Sequence, residues 1–245
     1  MPDNINEILV TVTVVLGVAA VALRALLRVN RVDWLKRFMT WTLEYVDVFL
    51  SALVIALVIR SFVVEPFKIP SSSMEDTLLI GDHLFVNRFL YGIKVPVLNR
   101  HVLPLRAPKR GDIVVFVPPH QPDKDFIKRV VGIPGDTVEI RNQQVFVNGV
   151  RQVEPFVVHK DAGPWRRFAP PRDQMAKVTV PPGKYFMMGD NRDRSEDSRW
   201  WGFADFNQMK GNAFLIYFSW DPDPAVPTWD VLHKIRWRRL LNIIH

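Results

Sequence analysis

Two long apolar runs lie within the first 64 residues of this 245-residue chain, and they constrain its organisation more than any other feature. The first covers residues 8 to 23 and extends to residue 27 if Arg24 reaches the membrane interface. About 20 apolar residues are enough for a helix to cross a bilayer core, so a transmembrane helix is predicted over about residues 8–27. A cleaved signal sequence is the alternative. Acidic Asp3 and Glu7 before the run, in place of basic residues, argue against it.

The second apolar run, Val48 to Val64, is interrupted by Arg60. Only Val48 to Ile59 is free of charge, which is short for a membrane span. An amphipathic helix lying in the interface therefore stays open as an alternative. We favour a second transmembrane helix over about residues 45–64, with Phe62 and its neighbours at the interface.

Basic residues between the two runs indicate how the chain is oriented. They are Arg24, Arg28, Arg31, Lys36 and Arg37. Cytoplasmic loops carry an excess of Lys and Arg, so this connector is expected in the cytoplasm and both ends of the chain outside. The sequence thus predicts a membrane anchor over residues 1–64 and an extracytoplasmic domain over residues 65–245.

The composition excludes several classes of function. The net charge is +7, but the basic residues gather between the apolar runs and near residues 234–239, where they suit anionic lipid headgroups. No nucleic-acid-reading motif is present, so nucleic acid is not expected as a partner. The absence of cysteine excludes disulfides, thiolate catalysis and cysteine-bound zinc.

After residue 66 the sequence becomes typical of β-structure. Short runs rich in Val, Ile and Phe alternate with Gly-Asp, Asn-Gly and Pro-Pro-Gly turn signals. Strands are predicted at His83–Arg88, Ile113–Val117, Phe126–Ile133, Thr137–Ile140, Gln144–Val147, Lys177–Val180, Lys184–Met188 and Ala213–Phe218. Residues 118–124 and 160–173 are expected to be surface loops. The fold class is therefore mainly β, an all-β domain behind two transmembrane helices.

The candidate chemistry lies in a serine run and a lysine. None of the six histidines belongs to a metal-binding motif and no G-x-S-x-G elbow occurs, so no metal or cofactor is expected. A serine nucleophile then needs another base, and a lysine deprotonated by burial can provide one. Strand alternation puts Lys128 on one face with Phe126 and Val130, while Arg129 shares the other face with Ile127.

Four segments together resemble the signature boxes of bacterial type I signal peptidases (leader peptidases). In chain order they are residues 70–82 with the sequence PSSSMEDTLLIGD, residues 110–116 with RGDIVVF, residues 128–136 with KRVVGIPGD and residues 189–195 with GDNRDRS. The last box continues to Gly202 as a dense run of opposite charges, which predicts an ordered loop. The boxes, their order and the two preceding apolar runs make the resemblance cover nearly the whole chain.

The resemblance implies a role for individual residues. Ser73 matches the nucleophile, Lys128 the general base, and Ser71 the side-chain donor to the oxyanion. Ser195 matches a hydroxyl that orients the lysine, and Asp197 with Arg199 a supporting ion pair. The shallow apolar substrate pockets are matched by Phe67, Ile69, Pro70, Met74, Leu78, Leu84, Val115, Phe126 and Ile127.

The resemblance also implies a function and a location. It predicts a signal peptidase I that removes signal peptides from exported pre-proteins at the outer face of the bacterial cytoplasmic (inner) membrane. The enzyme would be multi-pass, with its catalytic domain on the periplasmic, extracytoplasmic side and membrane lipid as a partner. Ser72 and Asp76 depart from the family's frequent Gly and Pro, and the secondary insertion at about residues 137–181 is short.

Two other readings stay open at this point. One is a self-cleaving Ser-Lys regulator, which would need a DNA-binding or partner domain where this chain has an anchor. The other is a non-catalytic, membrane-tethered β scaffold that binds envelope partners. The complete set of serine, lysine and oxyanion residues argues against the scaffold.

Overall fold

The computed structural model describes residues 2–29, 32–59, 64–95, 100–102, 104–161, 169–224, 227 and 229–245. The chain divides into two compact units, one ending at Val63 and the other beginning at Val64.

The first unit consists of two long helices, α1 (Pro2–Val29) and α2 (Asp33–Val58). Within the described residues, these are the helices long and apolar enough to cross a membrane, over Glu7–Val29 and Asp33–Val58. At 1.5 Å per residue the shorter span covers about 34 Å, which exceeds a hydrocarbon core of about 30 Å. Most of their large apolar side chains are exposed, as expected of helices solvated by lipid.

The second helix differs from its predicted bounds. It begins at Asp33, four residues after the last residue of α1, and ends at Val58, whereas the sequence predicted a helix over about residues 45–64. An apolar run shows which part of a helix lipid can cover, but it does not show where the helix begins. The residues before the run include Lys, Arg, Leu and Met, which are good helix formers and extend the helix toward its N-terminus. The predicted connector therefore narrows to residues 30–32, and its basic residues, apart from Arg31, lie inside the helices. Arg31, Arg60 and Phe62 lie outside the described residues.

The second unit is mainly β, which confirms the predicted fold class. Its strands are β1 (Val64–Lys68), β2 (Asp82–Asn87), β3 (Ile93–Val95), β4 (Arg100–Val102), β5 (Ile113–Phe116), β6 (Phe126–Gly132), β7 (Thr137–Arg141), β8 (Gln144–Val147), β9 (Val150–Arg151), β10 (Met175–Thr179), β11 (Lys184–Met188), β12 (Ala204–Asp205), β13 (Met209–Ser219) and β14 (Asn242–Ile243). Two single-turn helices, α3 (Ser198–Trp201) and α4 (Val231–Lys234), interrupt them.

Antiparallel pairing joins these strands into a large sheet and a small one. Across the described residues the large sheet runs β1-β2-β13-β5-β6-β11-β12, with β14 added beside β13. The small sheet runs β10-β7-β8-β9 and occupies the insertion predicted at about residues 137–181. A third pair, β3 with β4, was not predicted from sequence.

The predicted strands agree with the structure to within a few residues, and two of them, Gln144–Val147 and Lys184–Met188, agree at both ends. The main miss is β1. Val64 was assigned to the end of the second membrane helix, and Pro66 hides the strand because proline lacks the N–H that a central strand needs. Since β1 is the first strand of the large sheet, Pro66 is tolerated there.

Alternation in β6 directs its two faces to different apolar clusters. Ile127 joins a cluster with Met74 and Leu78, while Val130 and Phe126 join another. Lys128 and Arg129, consecutive in this strand, are each 3% exposed. Burying two cations side by side in sequence is costly unless each has a partner, so their surroundings locate the functional site.

Candidate active site

The serine run begins at Ser71, three residues after β1 ends at Lys68. Ser73 lies in a single 3-10 turn, Ser72–Met74, and is 6% exposed. The loop that carries it closes on itself, because the amide of Ile69 donates to the Asp82 carbonyl at 2.9 Å and that of Gly81 donates to the Ile69 carbonyl at 3.1 Å. The nucleophile candidate therefore sits on a fixed backbone.

Lys128 enters the same place from β6. Its Nζ atom lies 2.6 Å from Ser73 Oγ and 5.3 Å from the centroid of the Phe126 ring. Burial lowers the pKa of Lys128 to about 8, although the nearby carboxylates of Asp197 and Glu196 act in the opposite direction. An amine with this pKa is deprotonated in a useful fraction near neutral pH, and it can then accept a proton from the hydroxyl.

Ser71 also faces the nucleophile. Its Oγ atom lies 3.4 Å from Ser73 Oγ, and the residue itself is exposed. A hydroxyl in this position can donate to an oxygen that becomes negative when Ser73 attacks a carbonyl. The contact agrees with the oxyanion role that the resemblance implies for Ser71, and the role itself stays a prediction.

Ser195 lies beside the site, and its Oγ forms no hydrogen bond with Lys128 in this structure. It is 6% exposed, and its Oγ makes no hydrogen bond of ordinary geometry among the described residues, although its hydroxyl is close enough to the Asp197 carboxylate to lower the pKa of that group. A Cβ placed on Gly189 would lie 2.3 Å from this Oγ and 2.3 Å from the Ser73 carbonyl oxygen. Glycine is thus what allows the 189–195 loop to pack directly on the Ser73 backbone. The lysine-orienting role of Ser195 stays a prediction.

The predicted ion pair Asp197–Arg199 is present and buried. Arg199 Nε lies 2.8 Å from the carboxylate, and the side chains of both residues are at most 1% exposed. Burial raises the pKa of Asp197, but Arg199, the Ser195 hydroxyl and the Gly189 amide together outweigh burial, and the net pKa lies below the ordinary value. Asp197 also accepts from the amide of Gly189 at 3.1 Å, so the pair holds the loop beside Lys128.

A second buried network was not predicted from the sequence. Asp190 receives two hydrogen bonds from Arg129, at 2.7 and 2.9 Å, and one from the hydroxyl of Thr77 at 2.6 Å. These residues belong to the strand of the lysine, the loop of the serine and the 189–195 loop. Strand alternation put Arg129 on the face of Ile127, opposite Lys128, but it indicated neither the burial of Arg129 nor its partner Asp190, which is 61 residues away.

The segment over residues 154–161 contacts the 190–194 loop through an ion pair and hydrogen bonds. Glu154 pairs with Arg192 at 2.6 Å, the amide of Val158 donates to the Asp190 carbonyl at 3.0 Å, and His159 lies 3.2 Å from Asp193. The sequence assigned no function to this segment and predicted a surface loop from residue 160 onward. Residues 162–168 of that loop lie outside the described residues.

A cavity of about 500 Å³ opens over the two catalytic candidates. Its lining includes Pro70, Phe126 and Ile127 from the predicted substrate-binding set. The others are not part of its lining: Ile69, Met74, Leu78, Leu84 and Val115 are at most 2% exposed in a buried apolar cluster, and Phe67 packs on that cluster. Their contribution to substrate pockets stays a prediction.

No group of three or more metal-ligating side chains occurs among the residues that the structure describes. The site is instead a serine hydroxyl beside a buried amine with a lowered pKa, which is the arrangement of a serine hydrolase that uses lysine as its base.

Comparison with known proteins places this hydrolase in a family. Residues 42–220 match the family model of signal peptidase, peptidase S26. The chain belongs to the signal peptidase family and is therefore a serine endopeptidase, as the four boxes predicted. The two apolar helices fit a membrane-anchored enzyme.

Curated relatives carry the same family name. The signal peptidase I of Pseudomonas aeruginosa is 41% identical over 217 residues, covering 75% of this chain and 74% of its own length. That of Aquifex aeolicus is 33% identical, covering 72% and 84% respectively. A crystal structure of a signal peptidase I from Enterococcus faecalis is 35% identical over 44% of this chain and 97% of its own, with a TM-score of 0.36, at which the superposition adds nothing to the sequence match.

Proposed function

We propose that this chain removes signal peptides from exported precursor proteins through an acyl-enzyme in which Ser73 is the nucleophile and Lys128 the general base. The observation that carries the proposal is the 2.6 Å contact between Ser73 Oγ and the Nζ atom of Lys128, an amine that is buried and whose pKa is lowered to about 8.

The first half of the reaction forms the acyl-enzyme. Neutral Lys128 takes the hydroxyl proton while Ser73 Oγ attacks the carbonyl carbon of the scissile bond. The carbonyl oxygen becomes an oxyanion, which the hydroxyl of Ser71 and the backbone amide of Ser73 stabilise. Lys128 then gives its proton to the nitrogen of the departing chain, the C–N bond breaks, and the signal peptide stays esterified to Ser73.

The second half releases the signal peptide. Lys128, neutral again, removes a proton from a water molecule that attacks the ester, and the same oxyanion donors act once more. The proton passes back to Ser73 Oγ as the ester bond breaks. The Asp197–Arg199 pair and the Asp190–Arg129 pair hold the strand and loop that carry these groups, so the amine does not need to reorganise between steps.

Two strand edges beside the site suit an extended peptide. The first is β1, which among the described strands pairs only with β2. The second is the start of β6: residues 126–128 pair with β5 on one side, and pairing with β11 on the other side begins only at Arg129. A precursor in β-conformation can add its backbone to such edges. Alternate side chains would then point to the apolar cluster around Met74 and Leu78, where shallow pockets accept small residues one and three positions before the cut and reject bulky ones.

The anchor would hold the site at the membrane. We infer that α1 and α2 both span it and that the basic residues at their adjoining ends lie in the cytoplasm, which puts the catalytic unit on the outer, periplasmic face. Membrane lipid is then a partner of the helices, and nucleic acid is not. Arg24 lies 2.6 Å from Asp47, and this pairing lowers the cost of a cation near the apolar span.

Cleavage of a precursor by the detergent-solubilised protein tests the proposal. The wild-type chain should release the signal peptide, whereas Ser73→Ala and Lys128→Ala should each abolish cleavage without changing circular dichroism. Full activity in either variant would show that the dyad is assigned wrongly. If only cleavage within the chain itself were seen, the self-processing alternative would replace the proposal, and no cleavage by the wild-type chain would favour the scaffold.

A further inference from the structure

The cavity over Ser73 and Lys128 has walls of unlike chemistry. Apolar Pro70, Phe126 and Ile127 form one part, charged Lys124 and Asp125 lie next to them in the chain, and Arg194 and Glu196 of the 193–197 loop form another part. A second cavity of about 420 Å³, lined by Asp193, Arg194, Ser195, Glu196 and Trp200, shares Arg194 and Glu196 with the first. A groove therefore leads from the catalytic pair past Glu196 to Trp200.

The charges of this groove are not equally available. Arg194 lies 3.0 Å from Asp161, and the side chain of Asp193 is fully buried. Arg194 is as exposed as Glu196, 56% against 55%, but its charge is balanced by the Asp161 carboxylate, whereas the Glu196 carboxylate contacts a histidine. Glu196 therefore presents a carboxylate to whatever occupies the groove.

This carboxylate has a defined position. His120 Nε2 lies 2.9 Å from Glu196 Oε1, and the imidazole stacks on Trp201 at 5.8 Å and meets the edge of Phe126 at 5.7 Å. A histidine held between two aromatic rings restricts the glutamate that it contacts. An ordered charge interacts more strongly with a partner than a freely rotating surface glutamate does, since less side-chain entropy is lost on binding.

The reaction chemistry tells which part of the precursor passes Glu196. Lys128 protonates the departing nitrogen, so the residue after the cut must leave on the side of the amine. Glu196 lines the same cavity as Lys128. The second cavity continues from Glu196, and its lining has none of the apolar residues Pro70, Phe126 and Ile127, where the signal-peptide residues are proposed to bind. The groove past Glu196 thus receives the first residues of the mature protein.

We propose that Glu196 is a specificity-determining residue that favours basic and disfavours acidic side chains at the first two positions after the cleaved bond. The inference rests on the proposed function, since it needs a precursor in the site. It adds a preference on the mature side to the small-residue rule on the signal-peptide side.

Peptide substrates that differ only by Lys, Gln or Glu at the first or second position after the cut test this inference. The full-length chain in detergent should cleave the Lys substrate with a kcat/KM about threefold above that of the Glu substrate at one or both positions, as expected of a partly exposed charge pair. Glu196→Gln should bring this ratio close to one, and Glu196→Lys should invert it. Each ratio compares two substrates on one enzyme, so a general change in the basicity of Lys128 cancels.

Glu139→Gln is the matched control, because it removes the same charge from β7 in the small sheet and should leave the ratio unchanged. A wild-type preference that Glu196→Gln leaves intact at both positions, or no preference at all, would overturn the inference and leave the proposed function standing. Failure of the wild-type chain to cleave any of the peptides would overturn both.

Discussion

The amide of Asn191 donates a hydrogen bond to the carbonyl oxygen of Ser73 at 3.1 Å. The backbone of Ser73 is thereby joined to the loop that also holds Asp197 beside Lys128. The contact depends on Gly189, where a Cβ would lie 2.3 Å from that same carbonyl oxygen.

Gly189→Ala should therefore disrupt the site. A distance of 2.3 Å to a backbone atom cannot be relieved by a side-chain rotation, so the loop or the Ser73 turn must move. We expect kcat to fall by at least about 100-fold, since misplacement of a catalytic group by about 1 Å has this effect. Gly17→Ala in α1, where the added Cβ meets no atom within 4 Å beyond its chain neighbours and the backbone of its own helix, is the matched control. Equal kcat values for the two variants would contradict the packing argument.

The rate should rise with pH through the titration of Lys128. Below a pKa of about 8 the amine is mostly protonated and cannot accept the hydroxyl proton, so kcat/KM should increase about tenfold per pH unit and level off above it. A pH series of initial rates from pH 6 to 10, with stability checked at each value, measures this. A profile that is flat or falls over the lower half of that range would exclude Lys128 as the base.

The same pKa predicts that Lys128 destabilises the fold. Unfolded Lys128 keeps its proton up to about pH 10.5 and folded Lys128 loses it at about 8, so between these values the unfolded state binds more protons and stability rises with pH. Lys128→Met should raise the free energy of unfolding at pH 7 by roughly 3 kcal/mol at most. The difference in free energy of unfolding between Lys128→Met and wild type should become smaller as the pH approaches 10. Urea unfolding at pH 7 and 9.5 measures it, and a Met variant less stable than wild type at pH 7 would refute it.

Removal of the Ser71 hydroxyl should act on the transition state rather than on binding. Its Oγ lies 3.4 Å from the nucleophile, where the developing oxyanion can reach it. Ser71→Ala should lower kcat by about 100- to 1,000-fold with little change in KM. Ser71→Thr, which retains a hydroxyl, should recover part of the loss. A rise in KM at constant kcat would assign Ser71 to substrate binding instead.

Asp190→Asn should destabilise the catalytic unit because it leaves Arg129 buried without its carboxylate. The side chains of this pair are 1% and 4% exposed, and breaking a buried pair from one side costs about 3–5 kcal/mol. Denaturant unfolding of the variant should show a lower midpoint. Glu139→Gln, which breaks the pair with the half-exposed Arg141, should leave the midpoint unchanged. Similar midpoints for wild type and Asp190→Asn would mean that water or another donor compensates Arg129.

Structural features that depend on residues close together in the chain could be predicted from the sequence. The strand alternation around Lys128 and the turn signals depend on neighbouring residues, and they predicted most strands and the inward lysine. The partners of Arg129 and the support of the loop by Glu154 involve residues far apart in the chain, and no local pattern indicates which carboxylate meets which guanidinium. The start of α2 was missed for another reason: hydropathy detects lipid contact, whereas helical hydrogen bonding continues through polar residues.

Lys128 and Arg129 lie opposite Val114 and Ile113 of β5. A slip of the β6 pairing by a single residue would exchange the two side chains between the faces of the sheet. The guanidinium, which does not deprotonate near neutral pH, would then point at Ser73, and the amine would point at Asp190, where a carboxylate would keep it charged. The proposed Ser73–Lys128 mechanism therefore depends on strand register. The same sequence with β6 shifted by one residue, about 3.3 Å, would have no lysine at Ser73 and would be inactive.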